Sequence, residues 1–357
     1  MKPLTKVTAL AALSASLLAT GASAQLAGHN VVLVHGFQQE DLSSPPADLQ
    51  AVKDAGEDYW RTFWLSRSEA RIDWPSNGRV EGSIAQQAYS QIRSISQSGL
   101  CSNYCILVSH STGDLVTRYI LENQARWLRN EGLQPLKILT ALDFSGAGGG
   151  TELADLAVSV AYNDSWYLAP VKAAVKAFTG IDPKPGKLGV VNDLQTNAAR
   201  NLAVSPNGIP RIRLVAGGSS YGGITKPFIA GTDDGVVPTH SACGATTAEG
   251  VDSCVSYLSL KGKYTSQNGP DDLYYNHYPV LMNEGVSHSG VLGSETGNTS
   301  VPVVNNTTLN GFQVDFASRT YNKRAWWQWW GAGDRYIEVP GSAQTDMSSL
   351  VYSTLNN

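Results

Sequence analysis

The sequence predicts an α/β fold with a mostly parallel central sheet flanked by helices, and three observations predict it. Short apolar runs over 31–34, 106–108, 138–142 and 212–216 have the length and composition of strands buried on both faces. Between Glu81 and Ser98 the residues Ile84, Ala88, Ile92 and Ile95 recur at steps of four and three, which makes one buried stripe on an amphipathic helix. That helix leads into the run over 106–108, then a sharp turn, then a second helical pattern in which Leu115 pairs with Tyr119 and Val116 with Ile120. Helix, strand, turn, helix is the repeating unit of a parallel sheet.

At the N-terminus Lys2 and Lys6 precede an apolar run over 7–18, and Ala22-Ser23-Ala24 supplies small residues at the cleavage positions. This is the pattern of a secretory signal peptide over 1–24, cut after Ala24. No later stretch is long and apolar enough to span a bilayer, so a soluble, secreted or periplasmic product is expected. Its formal net charge is −4, and losing two lysines makes it more acidic. Nucleic acid and anionic lipid are therefore poor partners.

Four cysteines in an exported chain suggest two disulfides, and their spacing proposes Cys101 with Cys105 and Cys243 with Cys254. Other pairings remain open. Metal binding is the rival, but neither pair has the two-residue spacing of a zinc site, and no metal or cofactor is expected.

The chemistry-bearing stretches follow in chain order. The run over 31–34 leads straight into His35-Gly36-Phe37, where a glycine lets the backbone pass close to a substrate and the next amide can point into the site. His35 is expected to brace that loop rather than titrate. Trp60, Phe63 and Trp64 are expected in the core. The run over 106–108 opens into Ser109-His110-Ser111-Thr112-Gly113, a turn with small residues at both ends. A chain that reverses this tightly needs small neighbours and holds the hydroxyl of Ser111 out above the sheet edge as a nucleophile. The amides of Phe37 and Thr112 are the two candidates for an oxyanion hole.

The glycine-rich stretch over 145–151 lacks the Gly-Lys-Ser/Thr of a phosphate loop and is expected to border the pocket. Helical patterns over 152–180 carry Trp166 and Tyr167 between them, so an insertion over about 151–190 reads as a cap or lid, or as a plain packed helical pair. After the run over 212–216, Asp233-Asp234-Gly235 offers an acid in a glycine-bounded turn beyond a late strand. Asp234 is the choice for the third member of a triad and Asp233 its rival.

His288, in a loop of small residues over 285–290, is the candidate base, with His277 the alternative and His240 a loop residue close to Asp234. A C-terminal extension over about 301–357 begins with a polar loop over 305–308. It also carries Trp326-Trp327-Gln328-Trp329-Trp330, whose indoles either pack against the sheet, the default, or form a sticky surface for polymer or lipid. One domain over 25–357 follows.

On Val-His-Gly-Phe at 34–37, Ser-His-Ser-Thr-Gly at 109–113, Asp-Gly-Val-Val at 234–237 and Ser-His-Ser-Gly at 287–290, the chain resembles the α/β-hydrolase superfamily. Within it the chain is similar to bacterial secreted triacylglycerol lipases and lipase-like glycosylphosphatidylinositol inositol-deacylases. The order serine, acid, histidine is the one that superfamily uses. The resemblance implies an ester hydrolase with Ser111, Asp234 and His288 as its triad and an ester or lipid as its substrate. Three departures stand out: Ser109 replaces the first elbow glycine, the histidine before the Gly-Ser/Thr segment is absent, and no aspartate follows His288, so calcium is not implied. Depolymerisation of a polyester, acyl transfer to an alcohol, and noncatalytic binding on the same scaffold are the alternatives.

Overall fold

The computed structural model describes residues 25–163, 168–203, 208–302, 307–327 and 329–356. The expected signal peptide, and Trp166 and Tyr167, lie outside them. A seven-stranded sheet has the order β2-β1-β3-β4-β5-β6-β7. Its strands are β1 (Asn30–Val34), β2 (Ala70–Ile72), β3 (Cys105–His110), β4 (Ile138–Phe144), β5 (Arg211–Ala216), β6 (His277–Asn283) and β7 (Thr299–Ser300). The first six run parallel and β7 runs antiparallel to β6. Two hairpins follow, β8 (Thr307–Leu309) with β9 (Phe312–Val314) and β10 (Arg319–Lys323) with β11 (Asp334–Glu338).

The helices are α1 (Glu40–Ser43), α2 (Leu49–Trp60), α3 (Ala85–Ser98), α4 (Gly113–Asn130), α5 (Glu152–Asn163), α6 (Ala169–Thr179), α7 (Thr196–Asn201), α8 (Thr239–Ala242) and α9 (Met347–Leu355). The expected helix over 81–98 becomes regular only at Ala85, after a wider turn at Val80–Ile84 that contains non-helical Gly82.

Alternation along the strands sorts the core into two layers. Val32, Val34, Leu107, Ala141, Val215 and Met282 face the apolar stripes of α3, α4 and α5. Leu33, Ile106, Val108, Phe144, Leu214 and Leu281 face Trp60, Trp64 and the apolar side of α9. Trp60 and Trp64 are buried as expected, and the Trp64 indole donates to Ser348 Oγ at 3.0 Å.

Two expectations for the tail are corrected. The supposed polar loop over 305–308 enters strand β8 at Thr307. The indoles of Trp326, Trp327, Trp329 and Trp330 do not pack against the sheet; they are 88%, 63%, 82% and 86% exposed. They sit in the loop joining β10 to β11. Helix α9 fills that place instead. Both disulfides form as the spacing proposed, Cys101 with Cys105 and Cys243 with Cys254. Among the described residues no helix is long and apolar enough to cross a membrane.

Candidate active site

Ser111 stands at the C-terminal edge of the sheet, between β3 and α4, with φ of +55°. An L-residue adopts that conformation at a cost of about 1–3 kcal/mol, so the surroundings must enforce it. They do so through hydrogen bonds on both sides: Ser111 N donates to Phe144 O at 3.1 Å, while Ser111 O accepts from Ala147 N at 2.9 Å and Asp114 N at 3.1 Å. Gly113 is required because a Cβ there would sit 2.5 Å from the carbonyl oxygen of His35. Gly36 is required for the reciprocal reason, since its Cβ would fall 2.8 Å from Ser111 Cβ. The loop after β1 therefore lies directly against the serine.

Ser109, where a glycine was expected, has a physical role. It lies opposite Asp143 in the β3–β4 register and donates its hydroxyl to that carboxylate at 2.5 Å. Serine is small enough for the turn and supplies a donor that glycine lacks.

The acid and the histidine meet beyond β5 and β6. Asp234 is fully buried; its Oδ1 accepts from Val236 N at 3.0 Å and Val237 N at 2.7 Å, and its Oδ2 contacts His288 Nδ1 at 2.7 Å. The His288 backbone is fixed too, since its N donates to Asp234 O and to Ser220 Oγ, both at 3.2 Å. Asp233 turns away and accepts from Gly235 N at 2.7 Å; burial pushes its carboxyl up to about 6. It caps the loop, which separates it from Asp234.

The other histidines are elsewhere. His277 opens β6 opposite Arg211, at the sheet edge away from Ser111, so it cannot reach the serine. His240 is in α8 rather than a loop, fully buried, with Nε2 2.6 Å from Glu152 Oε1 and Nδ1 2.9 Å from Arg200. His35 braces its loop as expected. Its Nε2 accepts from Trp74 N at 3.0 Å, leaving Nδ1 to donate to Gly36 O at 2.8 Å, and its ring stacks on Trp74. Burial lowers its pKa to about 4, so the ring is neutral.

His110 is a residue whose role the sequence did not reveal. Its ring centroid is 4.7 Å from that of His288, its Nε2 bonds the His288 carbonyl oxygen at 2.9 Å, and its Nδ1 takes the hydroxyl of Tyr59. Burial, and then the neighbouring His288, hold its pKa well below the usual histidine value. A neutral ring with Tyr59 donating to one nitrogen must donate from the other, so His110 clamps the His288 main chain.

Four buried charges beneath the elbow also escaped the sequence reading. Arg211 bonds Asp114 at 2.6 Å and Asp143 at 2.7 Å, while Arg213 lies 2.7 Å from Asp114 and 3.2 Å from Asp143. Burial alone would raise the Asp114 carboxyl, but the Arg213 and Arg211 guanidiniums outweigh it and hold the group far below its ordinary value. Asp114 Oδ2 also accepts from Gly148 N at 2.7 Å. The network thus ties α4, β4 and β5 to the glycine-rich loop after β4. Its sequence signal was charge inside otherwise apolar strands, at Asp143, Arg211 and Arg213.

Ser111, Thr112, Phe37 and His288 line one narrow cleft of about 50 Å³ together with Phe178 of α6 and Val237. Thr112 precedes α4, and the first amides of a helix have no acceptor within it. Phe178 meets Phe37 at a ring distance of 5.8 Å, and Gln39 Nε2 binds the carbonyl oxygens of Ala177 and Phe178 at 2.7 and 2.8 Å. His288 borders a second, wider cleft of about 400 Å³ with Tyr59, Thr62 and Leu292.

Sheet order, the serine turn after β3 and the positions of Asp234 and His288 at the C-terminal edge define an α/β-hydrolase fold. No family model matches the chain, and no curated protein matches it. Among solved structures it is similar to the mature form of Bacillus licheniformis lipase BlEst2, at 18% identity over 62% of this chain and 81% of that one, with a TM-score of 0.40. It is also similar to Staphylococcus hyicus lipase, at 13% identity over 74% of this chain and 89% of that one, TM-score 0.42. A third is the metagenomic carboxyl esterase MGS0156, at 16% identity over 55% of this chain and 52% of that one, TM-score 0.31.

Proposed function

We propose that the protein is a serine carboxylic-ester hydrolase of the lipase or esterase kind, with Ser111 as nucleophile, His288 as base and Asp234 as its orienting carboxylate. The supporting observation is the buried Asp234 carboxylate on His288 Nδ1, with that histidine and a serine of positive φ on the same cleft. With Nδ1–H held by Asp234, the other ring nitrogen carries the lone pair and takes the Ser111 proton as the hydroxyl oxygen attacks the ester carbonyl carbon. The Phe37 and Thr112 amides then receive the oxygen that becomes negative. His288 returns the proton to the departing alcohol, and water, activated by the same ring, releases the acid from Ser111. The chain over 25–357 then acts as one catalytic domain, with residues 151–190 forming a cap whose Phe178 closes over Phe37. Residues 1–24 are the expected export signal.

Turnover of a p-nitrophenyl acyl ester tests this directly. Ser111→Ala should lower kcat by about 10⁴-fold or more while leaving the thermal unfolding profile intact. A fluorophosphonate probe should label the wild-type protein at Ser111 and nowhere else. Unchanged turnover in the variant, or an unlabelled Ser111 in a folded sample, defeats the reading.

A further inference from the structure

The four indoles of the β10–β11 loop have no part in the chemistry above, and their setting is unusual for apolar groups. Trp326 and Trp327 meet edge to face at 5.6 Å, yet all four side chains are mostly exposed. Left in water, so large an apolar patch is unfavourable, and a second medium would relieve that cost.

The ribbon beneath them is stiffly built. Tyr321 stacks on Tyr336 at 5.7 Å across the hairpin. The outer edge of β11 is held by the segment at 262–264, with Tyr264 N donating to Arg335 O and Ile337 N donating to Gly262 O, both at 2.8 Å. Lys263 pairs with Asp334 at 2.7 Å. Val339 N donates to Thr299 O at 2.8 Å, and Thr299 lies opposite Asn283, the last residue of β6. The ribbon is therefore rooted at the C-terminal end of β6, on the same edge of the sheet as Ser111 and His288.

Charge next to the indoles in sequence is basic, and the acid opposite Lys323 across the ribbon, Asp334, is paired with Lys263. Lys323 and Arg324 adjoin the indoles, and no carboxylate occurs from there until Asp334. Aromatic indoles flanked by cations are suited to the headgroup layer of a lipid surface, where the ring is half apolar and the cation meets phosphate. Net negative charge of the whole chain argued against anionic lipid, but headgroup contacts act within a Debye length, about 8–10 Å, so the local sign governs.

We propose that the β10–β11 tip is an interfacial anchor that inserts its indoles into a lipid–water boundary, with Lys323 and Arg324 at the headgroups. This gives the ester-hydrolase reading a surface-borne substrate, but its evidence and its test are independent of catalysis. The test uses full-length Ser111→Ala protein, so that no lipid is consumed, sedimented with phosphatidylcholine vesicles and with vesicles containing phosphatidylglycerol. Binding should be accompanied by a blue shift of the tryptophan emission and should be tighter on the anionic vesicles.

Replacing Trp326, Trp327, Trp329 and Trp330 by serine should weaken partition about a hundredfold. Lys323→Gln with Arg324→Gln should remove only the preference for anionic vesicles. With Ser111 restored, the four-serine variant should hydrolyse a soluble short-chain ester at the wild-type rate, which also shows that it folds. Absence of vesicle binding, equal binding by the four-serine variant, or retention on cellulose or polyester film without vesicle binding overturns the anchor. Failure of the hydrolase reading would show only in the soluble assay.

Discussion

At the scale of single residues, the candidate site depends on side chains that hold others still. His110 is the clearest case, because it touches the His288 carbonyl and ring but its own neutral nitrogens are committed to Tyr59 and to that carbonyl. Its task is positioning. His110→Leu should lower kcat about tenfold or more at unchanged KM, because misplacing a base affects the reacting step and not substrate capture. A matching loss in Tyr59→Phe, smaller in size, would trace the effect along the same chain of bonds, whereas an equal change in KM would speak for a general collapse of the cleft.

The residues proposed for the chemistry were legible because local backbone demands betray them. A serine turn needs small neighbours, the loop after β1 needs Gly36, and the acid turn needs Gly235 at φ of +90°. His110 and Tyr59 were not legible, since 51 positions separate them and only the fold brings them together.

Elements are bound to one another beneath the site by the Asp114, Asp143, Arg211 and Arg213 network, whose side chains are at most 3% exposed. A buried charge that loses its partner costs about 3–5 kcal/mol, far more than the pair contributes over an apolar replacement. Arg213→Met should therefore lower the unfolding free energy by about that amount, read from urea midpoints at constant slope. It would also leave Arg211 as the one guanidinium of this network bonded to Asp114 and Asp143.

Strand β6 went unrecognised in the sequence for a related reason. Pro279 argues against a central strand, but it sits where the β5–β6 register shifts between Arg213 and Leu214, a place where proline is tolerated. The four strands that were recognised are those whose mainly apolar runs contain no proline. Ser109 shows the same limit, because its partner Asp143 is on the neighbouring strand.

For the molecule as a whole, burial of neutral imidazoles sets its response to acid. His35 has its pKa lowered from 6.5 to about 4 by burial. Between those values the unfolded chain takes up a proton at this position and the folded chain refuses it. The stability is thus fully present above pH 6.5 and is lost as pH falls toward about 4, by about 3 kcal/mol in total. His110 and His277, also lowered by burial, act in the same direction, while Asp73 and Asp233, both raised to about 6, act in the opposite one. Comparing wild type with His35→Gln cancels the shared groups: the wild type should lose about 3 kcal/mol more than the variant between pH 7 and pH 4. Equal losses would place the imidazole in contact with water.

Helix α9 brings the far end of the chain back to its beginning. Tyr352 donates to Gln25 O at 3.2 Å, Asn356 accepts from Ala27 N at 2.7 Å, and Met347, Val351 and Leu355 close the layer containing Trp64 and Phe144. Until residues 347–355 dock, Trp64, Phe144 and the strand residues beside them keep one side of the sheet uncovered, so that layer cannot close from the preceding sequence alone.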